Sequence, residues 1–165
     1  MSGKRIEIAR IAAVLGTFYP PPFDAPCRTR ERQKLGDAAG LTQFGVNLLR
    51  LPPGAWSSQR HWHSHQDEFI YVLAGEVVLV TEGLEERLVA GDAAGFIAGE
   101  ANGHCLQNRS AAEALMLEIG TRVKTEDETT YSDIDLRSPA AGQPAMYTHR
   151  DGTPYQGLRR RGPGG

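Results

Sequence analysis

From Leu41 onward the chain falls into short runs in which apolar and polar residues alternate, each run closed by glycine or proline. A side-chain period of two belongs to strands, whose successive side chains point to opposite faces. Phe44, Val46 and Leu48 fall on one face, with Gln43, Gly45 and Asn47 opposite, and Pro52-Pro53-Gly54 marks a turn. His61, His63 and His65 then alternate with Trp62 and Ser64. Glu68 to Ala74 ends at Gly75-Glu76, Val77 to Thr81 at Gly83, and Arg87 to Val89 at Gly91-Asp92. Phe96-Ile97, His104 to Asn108 and Ala114 to Ile119 complete the series. Many short strands about 8–12 residues apart predict an all-β sandwich or barrel. Phe44, Val46, Leu48, Ile70, Val72 and Leu106 are expected to line its interior.

The flanks read differently. Ile6, Ile8 and Ile11 suggest one short strand. Tyr19-Pro20-Pro21-Pro22-Phe23 predicts an extended or polyproline-like segment, because proline fixes φ and restrains its predecessor. Arg28 to Lys34 is polar and predicts a helical turn before Gly36. Residues 121–165 are rich in Pro, Gly, Asp and Thr and read as an extended arm that wraps the barrel or crosses to a partner subunit. The expected organisation is one domain over 1–165, with a barrel core at about 41–120, an N-terminal arm 1–40 and a C-terminal arm 121–165. A domain of this size hides roughly 70% of its unfolded surface, so it needs no disulfide framework.

Composition excludes several classes. A formal charge of −2 gives no basic footprint for nucleic acid. The Arg159-Arg160-Arg161 run sits among glycines and proline and reads as a frayed tail. No run approaches 18 apolar residues, so no membrane span is expected. Glu7 and Arg10 interrupt the apolar N-terminal stretch, which argues against a signal peptide. With two cysteines, Cys27 and Cys105, the chain does not resemble a secreted scaffold, and a cytoplasmic location is expected. Asn108-Arg109-Ser110 is formally a glycosylation sequon, expected to stay unmodified in that compartment.

The chemistry concentrates at His61-Trp62-His63. On a strand both imidazoles share a face. Glu68, five residues beyond His63, can point back from the adjacent strand, and His104 arrives from a strand far along the chain. Three imidazole nitrogens and a carboxylate oxygen suit a divalent transition metal, with zinc, iron, manganese and nickel all open. His65 shares the face as well.

Gly54, His61, His63, Glu68 and Gly75 resemble the first cupin motif: glycine, His-x-His, glutamate, glycine. Four residues separate His63 from Glu68 and six separate Glu68 from Gly75, as in that motif, while Gly54 lies one residue further from His61 than usual. Gly91-Asp92, Gly99, His104 and Asn108 resemble the second motif. Ile97 stands where that motif has proline, and the gap from Gly99 to His104 is longer than usual; both departures fall in the hairpin. The resemblance covers about residues 41 to 120. It implies a double-stranded β-helix, or jelly-roll barrel, with the metal near one mouth. The chain is similar to small stand-alone bacterial cupins, some of which carry a sugar-phosphate isomerase label. Measured against that pattern, His65 is too close to Glu68 to be a ligand and is expected at the rim.

Other residues read as structural. Trp62 and Phe69 alternate out of the ligand face and are expected to pack between sheets or subunits. Tyr71 opposes Glu68 in parity, Asp67 is expected to cap a turn, Cys105 to be buried, and His149 to be at the surface. Asp133-Ile134-Asp135 reads as a solvated turn in preference to a second cation site.

The ligand set leaves open positions for water or a substrate oxygen. The leading expectation is a metal-dependent cupin acting on a small polar metabolite, as an enzyme like a sugar-phosphate isomerase or epimerase. Such a reaction needs a base, for which Glu68 and Glu118 are candidates. The alternatives are an Fe(II)-dependent dioxygenase or metal-dependent lyase, and a non-catalytic metal or small-ligand binding module. Outward aromatics and extended ends lead us to expect a homodimer.

Overall fold

The computed structural model describes residues 3, 5–123, 125–143 and 145–158; the Arg159–Arg161 run lies outside the described residues. Its strands are β1 (Val14–Leu15), β2 (Glu31–Lys34), β3 (Phe44–Leu51), β4 (His61–His63), β5 (Glu68–Ala74), β6 (Glu76–Thr81), β7 (Leu84–Val89), β8 (Ala93–Phe96), β9 (Cys105–Gln107), β10 (Ala114–Thr121), β11 (Thr129–Tyr131) and β12 (Arg137–Ser138). One short helix, α1 (Leu35–Ala39), follows β2.

One sheet runs β1-β2-β3-β10-β5-β8. Opposite it lie β12-β11-β4 and β7-β6-β9, joined by an antiparallel bridge between His61 and His104. The result is an antiparallel jelly-roll barrel. Its core takes Leu49 and Leu51 from β3, Ile70 and Val72 from β5, and Ala114 and Met116 from β10. Val77, Leu79 and Leu106 come from the facing sheet. Each such aliphatic side chain contributes roughly 1.5–3 kcal/mol on burial. Gly75 makes the β5–β6 turn at φ +73°, and a Cβ there would lie 2.5 Å from the Glu113 carbonyl oxygen. Asn108 is buried, donating to the carbonyls of Leu51 and Ala112 at 2.7 Å each, so its amide is closed to glycosylation.

A second cluster of Tyr19, Cys27, Tyr131 and Leu136 fastens both arms to the barrel. β11 pairs with β4, so the C-terminal segment wraps its own barrel and contributes strands. Among the described residues, no helix is long and apolar enough to cross a membrane.

Four expectations are corrected. The interior face of β3 is Asn47-Leu49-Leu51; Phe44 is exposed, and Leu48, though buried, has the opposite parity to Leu49 and stands outside the core cluster. Ile8–Arg10 is a 3-10 turn, not a strand. Pro20 to Asp24 turns back on itself, the Phe23 amide donating to the Pro20 carbonyl at 2.9 Å. Arg28 to Lys34 does not form a helical turn: Glu31–Lys34 extends along β3, which lets Arg32 reach Glu118 inside the barrel.

Candidate metal centre

β4 carries His61 and His63 on one face. The backbones of His61 and His104 bond reciprocally, His61 N to His104 O at 3.1 Å and His104 N to His61 O at 2.9 Å. Gly103 eases this approach, since a Cβ there would lie only 3.3 Å from the His61 backbone nitrogen and would also meet the Ser132 side chain. Glu68 opens β5, with Ile70 and Val72 inward on the same face.

All three imidazole Nε2 atoms face one carboxylate oxygen. Glu68 Oε2 lies 3.1 Å from His104 Nε2, 3.6 Å from His63 Nε2 and 3.7 Å from His61 Nε2. Ligand atoms of His61, Glu68 and His104 all fall within 4.8 Å of one another. His63 stands just outside that triplet while facing the same oxygen.

The second ring nitrogens are held from behind. His61 Nδ1 donates to the Gln59 carbonyl at 2.9 Å, which fixes the tautomer because a carbonyl only accepts. His63 Nδ1 donates to Asp127 Oδ2 at 2.7 Å, while Asp127 Oδ1 accepts from the His65 amide at 2.9 Å. Both arrangements leave Nε2 a free lone pair, as a metal ligand requires. His104 is oriented by its ring lying flat on Phe96, 3.4 Å between centroids.

Burial drives the His61 imidazole down to about 3, against a partial pull upward from Glu68. Burial pushes the Glu68 carboxyl up, but the three surrounding imidazoles outweigh it and hold the group down at about 2. Burial likewise lowers His63, yet the Asp127 hydrogen bond and the charges of Glu68 and Asp127 turn the net shift upward. At neutral pH the pocket thus presents a neutral His61 and an ionised Glu68. Glu68 Oε2 and His104 Nδ1 are buried with no hydrogen-bond partner among the described residues. A buried, unsatisfied carboxylate oxygen facing three imidazoles fits a divalent cation.

The set borders two cavities. The larger, about 380 Å³, is lined by His61, His63, Glu68 and His104 and by Arg30, Arg32, Glu118, Tyr19, Tyr131 and Tyr147. The smaller, about 320 Å³, is lined by His63, Glu68, His104, Trp62, Phe96 and Ile97. Glu118 accepts from Arg32 through both oxygens, at 2.6 and 2.7 Å. Burial holds the hydroxyls of Tyr19 and Tyr131 far above their usual value, so they remain protonated donors.

A family model described as a cupin domain matches residues 47–120. A crystal structure of a sugar phosphate isomerase of the cupin superfamily from Silicibacter pomeroyi is 42% identical over 93% of this chain and 98% of its own, with a TM-score of 0.84. This chain is a cupin. A second solved structure, from Acidithiobacillus ferrooxidans and described as a 'putative sugar phosphate isomerase', is 29% identical over 80% of this chain and 82% of its own, with a TM-score of 0.68. The polyketide cyclase RemF from Streptomyces resistomycificus, 21% identical over 72% of this chain and 78% of its own at TM-score 0.57, shares the fold. No protein of curated function matches the chain.

The remaining candidates fall away from the cupin centre. His65 is exposed and bonded to Ser64 Oγ, because β4 ends at His63. Asp67 Oδ1 caps the turn at the Ala98 amide. Asp133 pairs with Arg60, and Asp135 with His149 and the Arg150 amide, so the two carboxylates face different partners. His149 stacks on Tyr155 in the C-terminal arm, away from both cavities. Cys105 is buried, and Tyr71 is exposed on the outer face of β5.

Sequence reasoning missed Asp127 and the cavity arginines. Asp127 lies in an acidic stretch, Glu126-Asp127-Glu128, with no spacing motif to single it out. Arg30 and Arg32 were hidden by the helical reading of their segment; read as a strand, their period of two places both on one face.

Proposed function

We propose that this cupin holds one divalent metal through His61, His63, Glu68 and His104 and isomerises a small polar metabolite of the sugar or sugar-phosphate class. The observation that carries the reading is the convergence of three oriented Nε2 atoms on Glu68 Oε2 at the wall of a polar cavity. The likeness to two proteins described as sugar phosphate isomerases supports the substrate class. A bound metal would supply Lewis-acid polarisation of a substrate carbonyl.

The chain's own groups take the remaining roles. In the larger cavity Glu118 is the one carboxylate outside the ligand set among the described residues. Arg32 fixes its plane by the bidentate bond, and each carboxylate oxygen keeps a further lone pair that Arg32 does not use. Glu118 is thus the group positioned to take and return a proton next to a carbonyl. The tyrosine hydroxyls donate to substrate oxygens.

The test is exchange of the carbon-bound proton next to the carbonyl for deuterium, followed by NMR in D2O with a panel of phosphorylated aldoses and ketoses. The metal-loaded protein should wash in one deuterium, and Glu118→Gln should lose the exchange while keeping its metal. A metal-loaded protein that catalyses no exchange on any member of the panel contradicts the isomerase reading.

A further inference from the structure

The larger cavity contains a cation without a counter-ion among the described residues. Three arginines line it. Arg32 is neutralised by Glu118, and Arg122 donates to Asp37 and to the Leu41 carbonyl. Arg30 is different: it is only 7% exposed, and its Nε donates to the Gly16 carbonyl at 3.0 Å. Its Cζ sits 6.0 Å from the Tyr19 ring centroid. Among the described residues, no carboxylate pairs with it and neither Nη1 nor Nη2 makes a hydrogen bond. The Nε bond and the ring below fix the guanidinium, so its two-pronged Nη1/Nη2 end is what remains for a ligand.

A buried guanidinium is costly unless it is paired. Arg32, two positions on and within β2, has its carboxylate, whereas Arg30 is left open. Ser57 and Ser58, both buried, line the same cavity and add hydroxyls. Planar, charged and pre-oriented, an arginine fork matches a terminal oxyanion through two parallel hydrogen bonds.

The geometry points to Arg30 as an oxyanion subsite that holds the terminal phosphate or carboxylate of a small ligand, the other end of which reaches the His61–His63–Glu68–His104 set. The anion half stands on Arg30 alone; the placement of the ligand's other end rests on the metal-centre reading above. The subsite orients the substrate and selects for charge, and its residue is a positioning residue that takes no part in proton movement.

Titration calorimetry of the full-length protein as purified tests it, with inorganic phosphate and acetate as separate probes and metal content measured in parallel. Wild type is expected to bind at least one of the two. Arg30→Gln, which can still donate to the Gly16 carbonyl, should bind it about tenfold more weakly or worse, as expected for losing a charge-assisted bond. Arg30→Lys, which keeps the charge and loses the fork, should fall between them. Metal content should be unchanged in both variants. Preference for phosphate or for acetate assigns the source of the oxyanion. No binding to wild type, or equal affinity in Arg30→Gln, overturns the subsite and shows a guanidinium merely solvated by cavity water. Should Arg30→Gln fail to fold by near-ultraviolet circular dichroism, Arg30→Lys decides, and unchanged affinity there contradicts the proposal. Arg30-dependent binding in a protein that carries no metal would retain the subsite and remove the metal-centre reading.

Discussion

Asp127 accepts a hydrogen bond from His63 Nδ1 at 2.7 Å across 64 residues of sequence. The C-terminal segment reaches it by pairing β11 with the ligand strand, so the same stretch that closes the barrel also orients an imidazole. Removing an outer-shell carboxylate of this kind typically costs 10–100-fold in metal affinity. Asp127→Ala is expected to weaken metal binding by about that factor, read by competition with a chromophoric chelator. An unchanged dissociation constant would show that Asp127 only caps the His65 amide.

The Arg32–Glu118 pair lies inside the barrel with both side chains largely covered. Arg32→Met leaves a carboxylate there without its cation. We expect a loss of roughly 1–3 kcal/mol in urea unfolding, below the full cost of a completely buried charge. The double variant Arg32→Met/Glu118→Leu should recover part of it. Equal stability of wild type and Arg32→Met would mean that cavity water compensates the pair.

Acid should destabilise the metal-free protein earlier than carboxylates alone would dictate. His61 is driven from 6.5 to about 3 in the folded state, so between those values the unfolded chain binds more protons. Its contribution is therefore complete above about pH 6.5 and is lost as pH falls toward 3. Glu68, lowered from 4.5 to about 2, adds stability above 4.5 that disappears as pH falls through about 2. His63 runs the other way: its raised value stabilises at low pH and is lost as pH rises through its folded value. With chelator present, His61→Gln should flatten the fall in the urea midpoint between pH 6.5 and 5. An identical pH profile in the variant would rule out His61 as its source.

How much of this was legible in the sequence follows from range. His61, His63 and Glu68 lie within eight residues: strand parity put the two histidines on one face, and the spacing to Glu68, with a turn between, brought the carboxylate back toward them. Gly75 and Gly83 marked turns that their positive φ values demand. What local pattern misjudged is the face of β3. Alternation around Phe44 gives two faces with apolar residues on each, since Leu48 and Leu49 are adjacent and both buried. Which face looks inward is decided by β10, where Leu49 pairs with Met116. Asp127 escaped for the same reason, because its partner lies 64 residues away, whereas Arg32 was hidden by the helical reading of its segment.

Phe69, Tyr71 and Leu73, exposed by 42%, 39% and 41%, alternate along one outer face of β5 beside the half-buried Leu117 and Ile119 of β10. An apolar sheet face of this kind is suited to a second copy of the chain. Light scattering should give a dimer mass that Tyr71→Lys shifts toward monomer. A wild-type monomer at every concentration would refute it.

The central claim is that four side chains assemble one metal site. Elemental analysis of the purified protein, after dialysis without chelator, measures this most directly. The account predicts about one divalent transition-metal ion per chain, lost in Glu68→Gln and in His63→Ala while circular dichroism stays that of a folded barrel. Wild-type protein that carries no metal, and takes up none from zinc, iron, manganese or nickel salts, would contradict it.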